Sequence, residues 1–254
     1  MIRLENIKLG YDKTVLLENV SAVMSTGELV ALVGRNGTGK STLLRAVAGL
    51  GRILEGSVYL NGHNIAEILP GQLAKTVAFV TTERIRIANL RCKDVVALGR
   101  APYTNWIGRM QMQDTEIVNR SLALVGMENY ADRTMDRMSD GECQRIMIAR
   151  ALAQDTPVIL LDEPTAFLDL PNRYELCLLL RNLAHRENKC ILFSTHELDI
   201  ALTMCDSIAL IETPVLHYLS TPEMVGSGKI ERLFSNSSVT FDTGTCAVKV
   251  KNNE

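Results

Sequence analysis

The sequence predicts an α/β fold in which a parallel sheet core carries an N-terminal antiparallel β subdomain and a helical insertion. Short runs of consecutive apolar residues alternate with helical stretches, which is typical of parallel strands covered on both faces. The first 25 or so residues instead alternate apolar and polar side chains, which is typical of antiparallel strands. The apolar runs expected to be core strands are residues 29–33, 158–161, 191–193 and 208–211.

The elements follow in order along the chain. Residues 2–9 and 15–22 are expected to form a hairpin whose turn lies at 10–13, and residues 56–62 return to strand and end in the turn pair Asn61-Gly62. A helix is expected at 41–48, with Gly49 as its stop signal. Further helices are expected at 114–125 and 174–186. We interpret the chain, 1–254, as a single domain in which about 1–90 and 151–254 form the core with its β subdomain, and about 91–150 form the helical subdomain.

Composition and charge exclude several classes of protein. The 27 Lys+Arg and 29 Asp+Glu residues leave a net charge of −2, which disfavours a basic nucleic-acid binder, so we expect no nucleic-acid partner. No apolar stretch approaches the roughly 18 residues of a membrane-spanning helix. Charged and polar residues interrupt the N-terminus, so no signal peptide is expected and the chain should stay in the cytoplasm. The six scattered cysteines are interpreted as reduced and mostly buried.

A glycine-rich loop with the pattern G-x-x-x-x-G-K-[ST] occupies residues 34–41, between a predicted strand and a predicted helix. In such a loop, backbone N–H groups and the helix N-terminus bind a polyphosphate. Lys40 should reach the β- and γ-phosphates, and the Ser41 hydroxyl should coordinate Mg²⁺. An ordinary glycine-rich turn is the alternative. The residues predicted to bind nucleotide here are Gly34, Asn36, Gly37, Gly39, Lys40, Ser41 and Thr42.

Two carboxylates, Asp162 and Glu163, directly follow the apolar strand 158–161. Asp162 can hold Mg²⁺, directly or through water, and Glu163 can polarise a water for attack on the γ-phosphate. Glu163 could instead cap the next helix. A third strand end, after Phe193, carries Ser194, Thr195 and His196. Because ligands collect at the carboxyl ends of parallel strands, we expect the three strand ends to form one site.

Ser139 and Glu142 fit the S-x-x-E capping box, which predicts a helix over 141–153. A helix N-terminus can bind an anion, although most capping boxes bind no ligand. The surrounding segment reads Met138-Ser139-Asp140-Gly141-Glu142, about twenty residues before the two carboxylates.

This segment, with the phosphate loop and the carboxylates, resembles the ATP-binding cassette (ABC) ATPases, whose signature reads L-S-G-G-Q or L-S-D-G-E. The resemblance implies a P-loop NTPase fold of the RecA-like type and two ATP molecules held between the subunits of a head-to-tail homodimer. Ser139 and Gly141 would then contact the nucleotide of the other subunit. Residues 164–169 resemble the D-loop, with Asp169 at the dimer seam, and His196 matches the switch histidine that contacts the γ-phosphate. A merely structural histidine is the alternative.

Two further positions follow from the same resemblance. Tyr11 stands where the family carries an aromatic side chain that stacks on adenine; an ordinary surface tyrosine in a turn is the alternative. The family usually has a metal-sensing glutamine after the strand that follows the phosphate-loop helix, whereas this chain has Thr82, next to Glu83. Thr82 is too short to reach the metal as glutamine does, although it could hold a water on it. We still expect this loop to couple to a membrane partner.

Weaker local likenesses narrow the type of cassette. Residues 94–103 and 167–170 resemble ATPases of importers for ferric siderophores, haem and cobalamin, and residues 221–225 resemble a segment that follows the core in importer ATPases. This implies integral-membrane permease subunits, an indirect partnership with a periplasmic or lipoprotein substrate-binding protein, and a peripheral location at the cytoplasmic side of the bacterial inner membrane. An exporter ATPase and a soluble, non-transport cassette stay as alternatives. The stretch between Thr42 and Ser139 is too short for the long coiled coil of a DNA-repair cassette.

Overall fold

The computed structural model describes residues 1–11, 14–83, 89–104, 110–235 and 238–250. The strands are β1 (Ile2–Tyr11), β2 (Thr14–Met24), β3 (Leu29–Gly34), β4 (Glu55–Leu60), β5 (His63–Asn64), β6 (Val77–Val80), β7 (Val158–Leu161), β8 (Cys190–Thr195), β9 (Ser207–Glu212), β10 (Val215–Ser220), β11 (Val239–Asp242) and β12 (Ala247–Val250). The α-helices are α1 (Lys40–Val47), α2 (Pro70–Leu73), α3 (Cys92–Ala97), α4 (Met112–Leu124), α5 (Asp140–Ala153), α6 (Leu170–Arg186), α7 (Leu198–Met204), α8 (Thr221–Gly226) and α9 (Lys229–Arg232).

The central sheet has the order β10-β9-β3-β8-β7-β6, and all its neighbours are parallel except β10 and β9. The expected core strands are therefore confirmed, and the parallel arrangement brings the carboxyl ends of β3, β8 and β7 side by side. The antiparallel edge strand β10 was not predicted, because its sequence has no clear apolar alternation. None of the helices among the described residues is long and apolar enough to cross a bilayer.

The N-terminal antiparallel sheet has the order β2-β1-β4-β5. The predicted hairpin is confirmed, since β1 pairs with β2 and Tyr11 lies opposite Thr14. Asp12 and Lys13 of the predicted turn lie outside the described residues. A small C-terminal pair, β11 with β12, was not predicted from the sequence.

Side chains of the central sheet point alternately into two apolar clusters. Along β3, Leu29, Ala31 and Val33 join one cluster, while Val30 and Leu32 join the other. Helices α3, α4 and α5 pack on the first cluster, so the helical segment shares its core with one face of the parallel sheet. Five of the six cysteines are buried, as expected, and Cys246 is exposed.

A buried ion pair fixes the helical segment internally. The Arg100 guanidinium contacts the Asp114 carboxylate at 2.9 Å, with both side chains less than a tenth exposed, and also donates to the carbonyl oxygen of Ala153 at 2.8 Å. Asp114 in addition accepts the backbone N–H of Gln111 at the start of α4, and these hydrogen bonds lower its pKa. The pair therefore connects the beginning of α4 to the end of α5, the helix that Ser139 caps.

Candidate functional site

The candidate site lies where three neighbouring parallel strands end. Val33 of β3 pairs with Thr195 of β8, and Leu161 of β7 pairs with Phe193 of β8. The loop after β3, the carboxylates after β7 and the histidine after β8 therefore meet at one edge of the sheet, as the sequence predicts.

The glycine-rich loop turns sharply into α1. Gly39, the residue that caps α1, has a φ of 102°, a conformation that glycine adopts far more easily than other residues. A Cβ atom built on Gly39 would lie 3.3 Å from the Leu16 side chain of β2, so packing also favours glycine here. No side-chain hydrogen bond caps the helix at Gly39. The first N–H groups of α1 are therefore available to an anion.

Lys40 lies at the centre of the site and is 6% exposed. Its Nζ donates to the carbonyl oxygens of Gly34 at 2.9 Å and Arg35 at 3.2 Å, and lies 3.3 Å from Nδ1 of His196. Burial lowers the pKa of the Lys40 ammonium, and the nearby charges of Glu163 and Asp162 oppose that change. The lysine is thus held against the loop by short contacts on several sides.

A chain of hydrogen bonds joins α1, β7 and β8. The hydroxyls of Ser41 and Ser194 both donate to Oδ1 of Asp162, at 3.1 and 2.7 Å. The Ser194 hydroxyl also accepts the backbone N–H of Glu163 at 2.9 Å. The Thr82 hydroxyl donates to the backbone carbonyl of Asp162 at 3.0 Å, not to its carboxylate.

Glu163 has an unusual backbone conformation. Its φ is 46°, in the left-handed region, which costs a non-glycine residue roughly 1–3 kcal/mol. The hydrogen bond from its N–H to Ser194 helps to hold that conformation. One carboxylate oxygen of Glu163 contacts Nε2 of His196, whose other ring nitrogen faces Lys40. The predicted lysine, glutamate and histidine therefore form one contiguous cluster.

An open cavity of about 400 Å³ lies beside this cluster. The Tyr11 hydroxyl is 2.8 Å from the Thr42 hydroxyl, and 60% of Tyr11 is exposed at the cavity. The cavity therefore joins an exposed aromatic ring, the glycine-rich loop and a carboxylate. The residues that line it are Tyr11, Leu16, Asn36, Gly37, Gly39, Lys40, Ser41, Thr42 and Glu163.

The segment around Ser139 forms a separate feature. The capping box is confirmed: the Ser139 hydroxyl accepts the N–H of Glu142 at 3.3 Å, and the Glu142 carboxylate accepts the N–H of Ser139 at 2.8 Å. Ser139 is exposed, and a Cβ atom on Gly141 would meet only an ordinary contact, 3.5 Å from Leu168. The described residues that line the cavity at the glycine-rich loop include neither Ser139 nor Gly141.

The loop between β7 and α6 ends at Asp169, whose carboxylate accepts the N–H of Asn172 at 3.2 Å and so caps α6. Helix α6 consequently begins at Leu170, four residues earlier than the sequence predicts, because Asp169 caps it and Pro171 fits its first turn.

Two residues of the site carry no role in the sequence-based prediction. Ser194 joins Asp162 to the N–H of Glu163, and its position at a strand end among polar residues was the available signal. Leu16 packs on Gly39 and lines the cavity. No local pattern indicates Leu16, because the contact depends on how β2 lies over the loop.

Comparisons with known proteins agree with this geometry. Residues 17–166 match the model of the family described as ABC transporter. An ABC transporter ATP-binding protein of Methanocaldococcus jannaschii is 40% identical over 254 residues, which is 100% of this chain and 88% of that protein. A protein of Bacillus subtilis named as a siderophore transport system ATP-binding protein is 35% identical, over 95% of this chain and 88% of its own length.

An import protein and a solved structure extend the comparison. A petrobactin import ATP-binding protein of Bacillus anthracis is 34% identical, over 89% of this chain and 83% of its own length. The dimeric post-hydrolysis state of an ATP-binding cassette bound to ADP and Pi superposes with a TM-score of 0.74 and 26% identity, covering 87% of this chain and 99% of that one.

Proposed function

The chain belongs to the ABC transporter family and is an ATPase of that family, and from this premise we propose that it powers an importer as one subunit of an ATP-bound dimer. The observation that carries the proposal is the junction of the phosphate loop with the Lys40, Glu163 and His196 cluster at one cavity. An ATP-binding protein without hydrolysis would need only the loop. The adjoining carboxylate and imidazole supply the groups for attack on the γ-phosphate.

ATP is proposed to bind with its triphosphate on the loop at residues 34–42 and its adenine on the exposed ring of Tyr11. The uncapped N-terminus of α1 and the Lys40 ammonium offset the charge of the β- and γ-phosphates. The Glu163 carboxylate accepts a proton from the attacking water, whose oxygen bonds to the γ-phosphorus while the bond between that phosphorus and its bridging oxygen breaks. ADP and phosphate then leave, and Glu163 passes the proton to the departing phosphate. His196, in contact with Glu163, holds that carboxylate and lies toward the γ-phosphate.

The oxygen donors next to the loop suit Mg²⁺, which prefers hydroxyl, carboxylate and water ligands. The Ser41 hydroxyl and the buried Asp162 carboxylate lie 3.1 Å apart and would hold the ion. When bound, it neutralises charge that develops on the phosphates during transfer. Thr82 donates to the Asp162 backbone, so we assign it support of the Asp162 turn and not a direct contact with the metal.

The second half of each nucleotide site is proposed to come from another copy of the chain. Ser139 and Gly141 lie apart from the loop cavity, and neither packing nor backbone conformation within the described chain requires glycine at 141. Glycine is a poorer helix former than alanine, so close approach of a ligand explains it better. Asp169, at the tip of the loop before α6, would lie at the seam between the two copies.

Import is proposed through separate permease subunits at the cytoplasmic face of the plasma membrane, with a substrate-binding protein as an indirect partner. The names of relatives support a siderophore, an iron(3+)-hydroxamate or cobalamin as the cargo; haem is proposed only from the likeness of the sequence. A groove of about 650 Å³ lined by apolar side chains, among them Ile53, Leu73 and Phe79, includes part of β6, the strand that precedes Thr82. Leu50 in this groove is 68% exposed. Such a surface suits an apolar segment of a permease.

Hydrolysis and partnership are tested separately. The purified chain should hydrolyse ATP in the presence of Mg²⁺, and Lys40→Ala should abolish both binding and turnover; a wild-type chain without ATPase activity would contradict the proposal. With a permease subunit of an importer of this type, Leu50→Asp should prevent co-purification, whereas Leu178→Asp, at an exposed leucine of α6, should not. Equal recovery of both variants would remove the groove from the permease contact.

A further inference from the structure

One arginine connects the loop after β7 to the loop after β8. Arg173 lies in the first turn of α6, and its Nε donates to the backbone carbonyl of Leu168 at 2.6 Å. Another nitrogen of the same guanidinium contacts the Glu197 carboxylate at 2.9 Å. Glu197 directly follows His196. A single planar group thus holds both loops, which a lysine could not do with the same geometry.

Glu197 is itself fixed on several sides. Its backbone N–H donates to the Thr195 hydroxyl at 3.0 Å. Its side chain is one fifth exposed, and it interacts with the hydroxyl of the buried Thr165, in the same loop as Leu168. Partial burial raises the pKa of this carboxyl, and the charge of Arg173 opposes that change. The Glu197 carboxylate therefore depends on the start of α6 for its neutralising partner, Arg173.

One end of this connection lies next to the proposed dimer seam, and the other lies next to the proposed hydrolytic side chains. At one end are Leu168 and Asp169, next to the proposed dimer seam. At the other end is His196, in contact with Glu163 and 3.3 Å from Lys40. Arg173 follows Asp169 by one helical turn, and its backbone N–H donates to the Asp169 carbonyl at 3.0 Å. A shift of the loop should therefore move the Arg173 guanidinium with it.

We propose that Arg173 and Glu197 form a positioning pair, through which the position of the loop at residues 164–169 determines the position of His196. Binding of a second subunit at this loop then aligns the side chains that act in hydrolysis. This rests on the proposed dimer function. Neither residue touches the nucleotide. Both act on turnover through the placement of His196 and Glu163.

A purely structural tie between α6 and the loop after β8 is the competing explanation, and the chain offers a control for it. The Tyr174 hydroxyl donates to the Asp199 carboxylate at 2.7 Å, a hydrogen bond that joins α6 to α7 and involves neither Glu197 nor the loop before α6. Tyr174→Phe removes this tie, and Arg186→Ala removes an exposed arginine from the far end of α6. A general loosening of α6 would appear in Tyr174→Phe as well.

The experiment compares kcat, KM for ATP, the Hill coefficient and ATP binding at low protein concentration. Arg173→Ala and Glu197→Gln should each lower kcat roughly 10-fold and bring the Hill coefficient toward one, with ATP binding to the monomer unchanged. Arg173→Lys should recover part of the loss. The double variant should be no slower than the slower single variant, because the two residues act as a unit.

Two results would overturn the positioning role of Arg173 and Glu197. Effects of Arg173→Ala no larger than those of Tyr174→Phe and Arg186→Ala would overturn the proposal, as would losses that multiply in the double variant. If Arg173→Ala unfolds, Glu197→Gln and Arg173→Lys carry the same test. Absence of ATPase activity in the wild-type chain would instead refute the proposed function, so the two failures are distinguishable.

Discussion

The starts of α1 and α5 present the same chemical feature in two different states. Both are helix N-termini that could bind a phosphate. At α1, no side chain caps Gly39, and Lys40 and Asp162 beside it are almost completely buried. At α5, Ser139 is exposed and its hydroxyl already accepts a hydrogen bond from Glu142, whose carboxylate bonds back to the Ser139 N–H.

Charge separates the two ends further. The hydrogen bond from the backbone N–H of Ser139 lowers the pKa of Glu142, which keeps a negative charge at the tip of α5. Lys40 instead brings a positive charge to the tip of α1. The N-terminus of α1 is therefore suited to bind a triphosphate by itself, whereas the N-terminus of α5 is by itself a poor anion site. In the proposed dimer it would contact a nucleotide that is already bound to the other copy.

Replacing the carboxylate at the α1 end should have the largest effect. Glu163→Gln removes the group that accepts the water proton, and loss of a general base costs about 10²–10⁴ in rate. We expect ATP binding to stay near the wild-type value, since Lys40 and the loop are untouched. Steady-state ATPase rates with equilibrium nucleotide binding check this, and wild-type turnover in this variant would remove the assigned role.

A charge placed at the N-terminus of α5 should have the second largest effect on turnover. Asp is as good an N-cap as Ser, so Ser139→Asp keeps α5 capped but places a further negative charge where the γ-phosphate of the other subunit is proposed to bind. We expect turnover to fall about 100-fold from like-charge repulsion while monomeric ATP binding and the melting temperature change little. Ser139→Asn is the neutral, capping control. Equal activity of the Asp and Asn variants would contradict a nucleotide contact in trans.

Replacing Tyr11 tests the proposed adenine contact beside the N-terminus of α1. Stacking on a base contributes roughly 1–3 kcal/mol in nucleic-acid binders, so Tyr11→Ala should raise KM for ATP about 10-fold with little change in kcat. Tyr11→Phe keeps the ring but loses the contact with the Thr42 hydroxyl, and should behave close to wild type. An unchanged KM in Tyr11→Ala would count against stacking.

Thr82 should give the smallest effect. Thr82→Ala removes one hydrogen bond to the Asp162 backbone, a change of about 1 kcal/mol. Basal ATPase should therefore fall only a few fold, whereas stimulation by the permease should weaken more if this loop couples to the membrane partner. Transport and stimulated ATPase equal to wild type would refute that coupling.

Much of the site was predictable because its signals are local. The glycine-rich loop, the strand ending in Asp162 and Glu163, and the Ser139 capping box each occupy consecutive residues with a known physical meaning. The parallel strands then bring the separate pieces together. The order β3-β8-β7 places His196 beside both the loop and Glu163, as expected from apolar strands alternating with helices.

Contacts between distant residues were not predictable. Three such contacts depend on side-chain packing that no short sequence pattern encodes: Leu16 with Gly39, Ser194 with Asp162, and Arg173 with Glu197. Strand β10 was missed for a related reason: its pairing with β9 satisfies its backbone, and its partly exposed side chains show no alternation. Tertiary context decides such elements more than local propensity does.

The most direct test is the mass of Glu163→Gln in solution, by light scattering, with and without Mg-ATP. Because hydrolysis is blocked, ATP bound at the α1 end of each copy should hold the α5 end of the other, and the mass should double; adding Ser139→Asp should keep it monomeric. A chain that stays monomeric in Glu163→Gln at saturating Mg-ATP would contradict the shared site.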